Sequence, residues 1–439
     1  MKKIYIETIA PLLRGLTFDG EKGNIIIFED SPKKMNVAFN KIKSDRIIPL
    51  YLKEIKNSHQ LNQGKLVEKI IPSILHKFQD YIKKNKQKPK IVILENIGVF
   101  YLGESYEQAA NIKNGFNDVQ KEIIITSKIT KLESSTENKN SETITDYNCN
   151  RSLEKNHHGG RLYRNQIIRN KIAVVTGSAQ GFGESIVREL TKLECLVFIA
   201  DINLKGANRL AGELNNEYKR KIAFPIKVDV GDEDSVKEMM FEIIKKVGGV
   251  DIFISNAGVL KAGSIKEMEL SEFAFVNKVN YFGYFLCAKH ASKIMALQNI
   301  PTQKYFTDII QVNSKSGLEG SDKNSAYAGS KFGGLGLTQS FALELIADNI
   351  KVNAVCPGNF FEGPLWADPE NGLFIQYLRT GKVPGAKTLE DVKKFYESKI
   401  PMRRGCTGED IIKAIYYIID QKYETGQAIP ITGGQVMLK

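Results

Sequence analysis

Long apolar runs are missing from this 439-residue sequence. No stretch of 18 or more consecutive apolar residues occurs, so a membrane-spanning helix is not expected. The N-terminal stretch MKKIYIETIAPLLRG is interrupted by Glu7 and Pro11, and it lacks the apolar core and small-residue cleavage site of a secretory signal. We therefore predict a cytoplasmic protein without a membrane partner.

Cysteine and histidine are scarce, with five residues of each. The cysteines are scattered without a CxxC pair, which is typical of reduced thiols and argues against a disulfide framework or a zinc ribbon. No His-x-His pair occurs, and His157 and His158 lie in a polar segment without further ligands nearby. We therefore predict no metal site.

The positive charge is unevenly distributed. The chain carries a net charge of +12, and residues 1–170 hold 29 Lys and Arg against 19 Asp and Glu. A basic segment can bind nucleic acid or an acidic partner. These lysines are dispersed and lack interleaved aromatics or a recognition motif, so we interpret them as a solvated surface. Retention on heparin that falls steeply with salt would indicate the nucleic-acid alternative.

The apolar pattern divides the chain into three segments. Residues 1–126 mix short strands with helices and predict a small α/β domain. Residues 127–167 are rich in Ser, Thr, Asn, Glu and Lys without periodicity, which predicts a disordered linker. Residues 168–439 alternate seven apolar runs with helical segments. This last pattern predicts an α/β fold of the Rossmann type, a doubly wound parallel sheet.

Within the first segment, individual elements are predicted from local signals. Residues 23–30 have the pattern of a strand, and residues 89–103 have the pattern of two strands joined by a turn. Residues 64–84 have the apolar spacing of a helix that is interrupted at Pro72. Residues 105–123 begin with a serine and two acidic residues, which is typical of a helix N-terminus.

A glycine-rich loop follows the first strand of the third segment. In KIAVVTGSAQGFGESIVREL, Gly177, Gly181 and Gly183 allow the backbone to approach a pyrophosphate at a helix N-terminus. Asp201 ends the second strand, where a carboxylate accepts hydrogen bonds from ribose hydroxyls and repels a 2′-phosphate. Gln180 stands where a basic residue would favour that phosphate. The loop therefore predicts NAD rather than NADP as cofactor. The other residues expected to contact the dinucleotide are Phe182, Asp229, Val230, Asn256, Ala257, Gly258, Tyr327, Lys331, Pro357 and Gly358.

The stretch SAYAGSK places Tyr327 and Lys331 four residues apart, which puts them on one helix face. A phenol is a poor base at neutral pH. A nearby ammonium, together with the positive nicotinamide, favours the phenolate and lowers its pKa. Tyr327 would then accept the proton of a substrate hydroxyl. Ser314 would hold the substrate oxygen, and Asn280 would anchor a water leading from Lys331 to solvent.

The ordered set of motifs resembles the short-chain dehydrogenase/reductase family over residues 168–439. TGxxxGxG, NAG, Asn280, Ser314, YxxxK and Pro357-Gly358 occur in the family order. The threonine that often follows four residues after that glycine is replaced by Glu362. The resemblance implies a nicotinamide-dependent oxidoreductase, and the usual assembly of the family implies a homo-oligomer, a dimer or a tetramer.

Less generic stretches, among them QVNSKSG, PGNFFEGPLW and TGGQVM, resemble the family members that oxidise sugar-alcohol phosphates. This resemblance implies oxidation of D-sorbitol 6-phosphate to D-fructose 6-phosphate with NAD. Another polyol phosphate or sugar phosphate stays open as substrate, as does a sensor of NAD and sugar phosphate that has no activity. Residues 363–401 would form a substrate lid. The candidate substrate contacts are Lys315, Trp366, Arg403 and Arg404.

The first segment has a different resemblance. PKIVILENIGVFYLGESYEQAANI is similar to the late part of class II sugar-phosphate aldolases. Isoleucine stands in Asn96-Ile97-Gly98 where the aldolases have a metal-binding histidine, and a zinc aldolase needs about three such ligands. We therefore expect residues 1–126 to be a shortened, non-catalytic aldolase-like domain.

Overall fold

The computed structural model describes residues 2–30, 50–52, 62–94, 97–116, 167–370, 372–379, 381 and 383–437. Nearly all of the predicted linker, including His157 and His158, lies outside these ranges, and so does Asn96. Among the described residues, no helix is long and apolar enough to cross a membrane.

The N-terminal unit is a four-stranded sheet with helices. Its strands have the order β1-β4-β3-β2, in which β4 is antiparallel to both neighbours and β2 is parallel to β3. The elements are α1 (Lys2–Leu16), β1 (Ile25–Asp30), β2 (Leu50–Leu52), α2 (Gln63–Asn85), β3 (Ile91–Leu94), β4 (Gly98–Gly103) and α3 (106–116).

One expectation for this unit is wrong, because the helix α2 continues through Pro72. No element was predicted for residues 2–16, where the structure has α1, which contains Pro11. A proline removes one backbone hydrogen bond and crowds the preceding turn, which costs a helix about 3 kcal/mol. Burial of the apolar face outweighs this cost, because most helix stability in proteins comes from packing rather than propensity.

The C-terminal part forms one seven-stranded parallel sheet of order β11-β10-β9-β8-β5-β6-β7, as the sequence predicts. The chain reverses its strand order between β5 and β8, so their carboxyl ends form the crevice where such sheets bind ligands. The strands are β5 (Ile172–Thr176), β6 (Leu196–Asp201), β7 (Ala223–Lys227), β8 (Ile252–Ser255), β9 (Thr307–Val312), β10 (Ile350–Pro357) and β11 (Ala428–Ile431).

Helices cover both faces of this sheet and bury two large apolar clusters. Polar side chains cap the N-termini of several of these helices. Asp232 accepts a hydrogen bond from the Ser235 amide, and Thr388 and Thr407 each form a capping box. The helices are α4 (Gly181–Lys192), α5 (Leu204–Glu217), α6 (Glu233–Val247), α7 (Leu270–Asn277), α8 (Gly283–Asn299), α9 (Ser325–Leu345), α10 (Pro364–Ala367), α11 (Leu373–Arg379), α12 (Leu389–Ser398) and α13 (Gly408–Asp420).

The N-terminal unit shares a core with the parallel sheet. Tyr5 and Ile9 of α1 belong to the same buried cluster as Ile294 of α8 and Ile172 of β5. The backbones approach so closely that a Cβ added at Gly15 would lie 1.9 Å from the Gln298 carbonyl oxygen. The two parts therefore pack as one body, although the division of the chain into domains stays a prediction.

An ion pair lies inside this shared core. Arg14 donates to both carboxylate oxygens of Asp251, and the two side chains are fully buried. Asp251 directly precedes β8 and also accepts from the Ile172 amide and from Tyr305. Burial alone would lower the pKa of Arg14, but the Asp251 carboxylate raises it, so the guanidinium stays charged. The pair ties the N-terminal unit to the centre of the parallel sheet.

Candidate active site

The glycine loop after β5 has the backbone that a dinucleotide needs. Gly177 and Gly181 have φ values of +61° and +64°, which only glycine adopts at low cost. A Cβ at Gly183 would lie 2.4 Å from the Gly177 carbonyl oxygen, whereas one at Gly181 would meet, among the described residues, only Pro364, at 3.8 Å. Gly183 therefore serves close packing, and Gly181 borders open space.

The helix α4 begins at Gly181, beside this space. Its N-cap residue Gln180 makes no side-chain hydrogen bond to the helix. Unbonded amides at a helix N-terminus attract anions. Together with the open space beside Gly181, they fit the pyrophosphate of a nicotinamide dinucleotide. Phe182 follows in the first turn of α4, where its ring stacks on Phe360 at 4.2 Å between centroids.

Asp201 lies at the end of β6 and is 8% exposed. Its carboxylate accepts from the amides of Ala179 and Asn203 at 2.9 and 2.8 Å. The side chain thus fixes the glycine loop, and each oxygen keeps a further lone pair for a ribose hydroxyl. The nearby Arg209 is held by Glu213 and Glu184.

A polar clamp joins the ends of β5 and β8. The Asn256 carboxamide donates to the carbonyls of Thr176 and Gly177, both at 2.9 Å. The Thr176 hydroxyl accepts from the amides of Asn256 and Ala257. The sequence motif indicated Asn256 and Ala257, but the supporting role of Thr176 was missed. This clamp fixes the floor of the crevice.

The other predicted cofactor residues line the same edge of the sheet. Asp229 follows β7 and accepts from the Gly231 amide at 2.9 Å. Val230 packs against Gly283, where an added Cβ would lie 2.8 Å away. Pro357 ends β10, and the Gly358 amide donates to the Ile431 carbonyl at 2.9 Å. The structure thus brings the predicted cofactor residues to one edge of the sheet.

Ser314, Tyr327 and Lys331 converge at this edge. Ser314 follows β9, and the other two lie in α9. The Lys331 ammonium lies 5.6 Å from the centre of the Tyr327 ring and donates to the Val312 carbonyl at 3.0 Å. Burial raises the pKa of Tyr327, and its hydrogen bond with Ser314 opposes that rise. Burial lowers the pKa of Lys331 to about 8.

Asn280 reaches the site from a π-helical turn, Lys278–Phe282. Such turns are rare overall, and those that do occur are often found at functional sites. The Asn280 carboxamide exchanges two hydrogen bonds with the Val259 backbone and donates to the Ser330 hydroxyl at 3.1 Å. The amide therefore braces the loop after β8 against α9. Its expected part in holding a water near Lys331 stays a prediction.

Lys315 is the predicted substrate contact that lies nearest to the catalytic set in sequence. It is half-buried in a short 3₁₀ turn directly after Ser314. Burial lowers its pKa, Glu319 raises it and the ammonium of Lys399 lowers it further. Lys399 follows α12 and lies over the Phe395 ring at 4.2 Å. The sequence did not single out Lys399, whose proximity to Lys315 depends on tertiary structure.

The remaining substrate candidates pack or pair with other residues of the chain. Trp366 is 7% exposed, and its ring packs against Phe361, Phe374 and Tyr396 inside a separate cluster formed by the predicted lid. Arg404 is exposed and makes a bidentate ion pair with Asp410. Their roles as substrate contacts stay predictions.

Arg403 is also exposed, and it donates to the Ser398 carbonyl at 2.6 Å. This bond places the guanidinium beside the turn that carries Lys399. A substrate contact for Arg403 likewise stays a prediction.

Known proteins match this part of the chain. The model of the short chain dehydrogenase family matches residues 171–366. Sorbitol-6-phosphate 2-dehydrogenase of Escherichia coli is 36% identical over 271 residues, which are 61% of this chain and 99% of that protein. The crystal structure of sorbitol-6-phosphate 2-dehydrogenase SrlD from Erwinia amylovora aligns with a TM-score of 0.56 at 38% identity, covering 61% of this chain and all of that one.

A third relative extends into the N-terminal unit. The uncharacterized oxidoreductase YuxG of Bacillus subtilis is 24% identical in an alignment that covers 99% of this chain and 64% of that protein. The E. coli relative is matched over nearly its full length, and the fold, the glycine loop and the Tyr327–Lys331 pair agree with the family. This chain belongs to the short-chain dehydrogenase family of oxidoreductases.

Proposed function

We propose that this chain oxidises D-sorbitol 6-phosphate to D-fructose 6-phosphate with NAD. The observation that carries the proposal is the convergence of Ser314, Tyr327 and Lys331 at the cofactor edge, with Lys315 directly beside Ser314. The E. coli and E. amylovora relatives support the choice of substrate, because both bear the name of that activity.

Each catalytic side chain has a separate part in the reaction. A nicotinamide dinucleotide, held by the glycine loop and Asp201, would supply the acceptor for the substrate hydride. Tyr327 accepts the proton of the substrate hydroxyl as the carbonyl forms. The Ser314 hydroxyl donates to the same oxygen and stabilises the negative charge that develops there. The buried Lys331 ammonium favours the phenolate form of Tyr327, since opposite charges attract strongly away from water.

The choice of NAD depends on Asp201. Members of the family use either NAD or NADPH. The Asp201 carboxylate is fixed at the end of β6 by two amides, so it would stay close to the 2′ position of the adenosine ribose. A 2′-phosphate there would meet a like charge. Arg209 is already held by two glutamates, which supports NAD further.

A phosphorylated substrate needs cations beside the pocket, and Lys315 and Lys399 supply them. They belong to different elements, the turn after Ser314 and the end of the predicted lid. Burial lowers the pKa of Lys315 and the nearby Lys399 ammonium lowers it further, so an anion between the two side chains would relieve that repulsion. We assign the substrate phosphate to this pair.

The first test compares substrates. Purified protein with NAD should form NADH rapidly with D-sorbitol 6-phosphate and only slowly with unphosphorylated sorbitol or mannitol 1-phosphate. NADP should support at most a small fraction of the rate, because of Asp201. Rapid turnover of mannitol 1-phosphate instead would assign another polyol phosphate. Tight NAD binding without turnover of any polyol phosphate would indicate the sensor and contradict the proposal.

The variant Lys315→Ala tests the phosphate contact. A charge-assisted hydrogen bond contributes about 1.5–3 kcal/mol, so KM for D-sorbitol 6-phosphate should rise about 10- to 100-fold. Turnover of unphosphorylated sorbitol should not change. Lys413→Ala is the matched control, since Lys413 is exposed on α13 and pairs with Glu409. An unchanged KM in Lys315→Ala would place the phosphate elsewhere.

The pH profile of kcat/KM should show the ionisation of the Tyr327–Lys331 pair. In the free enzyme the pair holds both protons below about pH 8, because burial lowers the pKa of Lys331 to about 8 and raises that of Tyr327. Above that pH the coupled pair has lost one proton, and its form with a Lys331 ammonium and a Tyr327 phenolate takes the substrate proton. Oxidation should therefore rise with pH and level off above about pH 8.

The variant Lys331→Arg provides the control for this profile. Arginine stays charged throughout the range, so the transition near pH 8 should disappear and the rise should move to higher pH. A flat wild-type profile between about pH 6 and 9 would contradict the pair as the general base.

We also propose roles for the parts outside the active site. The N-terminal unit is a non-catalytic, aldolase-like domain; Ile97 stands at the expected metal-ligand position and is buried in the apolar core. The chain assembles as a homo-oligomer, because Phe282, Phe285, Phe332 and Leu343 expose apolar surface on neighbouring helices.

A further inference from the structure

Asn313 lies one residue before Ser314 and is 3% exposed. Its carboxamide oxygen accepts from the Ser314 amide at 2.8 Å. Its nitrogen donates to the Lys331 carbonyl at 2.9 Å and to the Gln311 side-chain oxygen at 2.8 Å. One buried side chain thus holds the backbone of two residues of the catalytic set. They come from different elements, the end of β9 and the helix α9.

The orientation of this amide is unique. The Ser314 amide can only donate and the Lys331 carbonyl can only accept, so the oxygen and nitrogen of Asn313 cannot be exchanged. The same logic fixes Gln311, whose oxygen must face Asn313. The Thr338 hydroxyl donates to the Gly334 carbonyl at 3.0 Å and lies 3.4 Å from that same Gln311 oxygen. The network therefore has a single arrangement.

Packing leaves no room for the amide to move. A Cβ at Gly317 would lie 2.1 Å from the Asn313 carboxamide oxygen. A Cβ at Gly334 would lie 2.4 Å from the Gln311 side-chain nitrogen and 3.1 Å from that of Asn313. Two glycines thus make the space that the network fills, and the amide cannot shift without losing a bond.

We propose that Asn313 is a positioning residue for the dehydrogenase reaction, which sets the place of Ser314 and Lys331 relative to Tyr327. The inference depends on the roles proposed above for these three residues. Asn313 itself does not touch the substrate. The Lys331 ammonium is held separately by the Val312 carbonyl, so Asn313 fixes the start of the side chain and Val312 its end.

The central test measures the ionisation of Tyr327 without any substrate. Protein labelled with ¹³C at the tyrosine ζ carbon is titrated with NAD bound, and the Tyr327 signal is assigned by its absence in Tyr327→Phe. In Asn313→Ala the Lys331 backbone loses its anchor, so the ammonium stabilises the phenolate less. The pKa of Tyr327 should rise by about one unit. An unchanged pKa would overturn the proposal.

Kinetics provide the second readout. Misplacement by about 1 Å can cost about 100-fold in rate, so kcat in Asn313→Ala should fall about 100-fold with little change in the affinity for NAD. Asn313→Asp keeps the acceptor for the Ser314 amide but turns an oxygen towards the Lys331 carbonyl. It should therefore lose as much activity as the alanine variant. Full activity in Asn313→Asp would exclude the Lys331 contact as the important one.

Asn299→Ala is the matched control for simple loss of structure. Asn299 is also 3% exposed, and its nitrogen donates to the Thr307 hydroxyl and to the carbonyls of Asp348 and Asn349. This variant should lose similar stability but keep the kcat and the Tyr327 pKa of the wild type. Equal losses of kcat in the two variants would show that Asn313 is merely structural.

Failure of the proposed function is distinguishable from failure of this inference. Should the wild type turn over no polyol phosphate, the ¹³C titration still reports whether Asn313 controls Tyr327. Asn313→Ser, which keeps one hydrogen-bonding group in the space, supplies a second variant for the titration if the alanine variant does not fold. Its Tyr327 pKa should lie between the other two values.

Discussion

Replacing Tyr327 with phenylalanine is expected to lower kcat about 1,000-fold while NAD still binds. General bases contribute about 100- to 10,000-fold in rate, and phenylalanine keeps the ring while removing the hydroxyl proposed to take the substrate proton. The half-buried ring keeps its packing, so the melting temperature should change little. Stopped-flow measurement of NADH formation and a separate NAD titration give the two quantities.

Tyr416→Phe is the control for the loss of a tyrosine hydroxyl. The Tyr416 hydroxyl donates to the Glu189 carbonyl on the far side of α4, away from the crevice. This variant should keep the wild-type kcat. If Tyr327→Phe retained more than about a tenth of the activity, the base would have to be another group, and the mechanism built on Tyr327 and Lys331 would be wrong.

Replacing Arg14 with methionine is expected to destabilise the whole chain by about 3–5 kcal/mol, because the buried Asp251 carboxylate loses its partner. Arg14 also donates to the carbonyls of Gly23 and Asn24, which would be left unsatisfied. Asp251 holds the start of β5 and β8, so the loss should appear in the dehydrogenase part as well as in the N-terminal unit. Urea unfolding followed by circular dichroism measures the change.

Two further variants make this experiment specific. Arg14→Met combined with Asp251→Asn removes the unpaired charge and should recover part of the loss. Arg169→Met removes an exposed ion pair with Glu194 and should cost about 1 kcal/mol at most. If Arg14→Met unfolded only the N-terminal unit and left the parallel sheet intact, the two parts would not be one cooperative body.

The parallel sheet could be predicted because its strands have local signatures. Each of the seven apolar runs ends in or beside Gly, Asp, Asn or Ser, and these residues mark the carboxyl edge where the site lies. The same edge explains why Asp201, Asn256 and Ser314 could be selected from the sequence. Each lies at the end of a strand or within two residues after one, and their order along the chain is that of the family.

Other features depend on tertiary contacts that no local pattern reveals. Arg14 and Asp251 are 237 residues apart, and nothing near Arg14 marks it as a buried residue. The helix α1 was missed because a proline and a glutamate interrupt its apolar pattern, while its packing against α8 is invisible in the sequence. Asn313 resembled an ordinary polar residue at a strand end, since its importance comes from the Lys331 carbonyl on another element.

The substrate contacts were the least predictable part of the site. Trp366 was a candidate substrate contact, and in the structure it is nearly buried within a cluster of aromatic residues. Lys399 comes near Lys315 only because the end of α12 packs back towards the turn after Ser314. The sequence shows that a residue is charged, but it does not show which surface or pocket the side chain will face until the fold is known.

The most direct test of the central claim uses D-sorbitol 6-phosphate that carries deuterium at carbon 2. The protein is mixed with this compound and NAD, and the nicotinamide product and the sugar are analysed by mass spectrometry. One deuterium per molecule should appear in the reduced cofactor, and the sugar product should be unlabelled fructose 6-phosphate. Reduced cofactor without deuterium, or no reduction at all while NAD is bound, would contradict that claim.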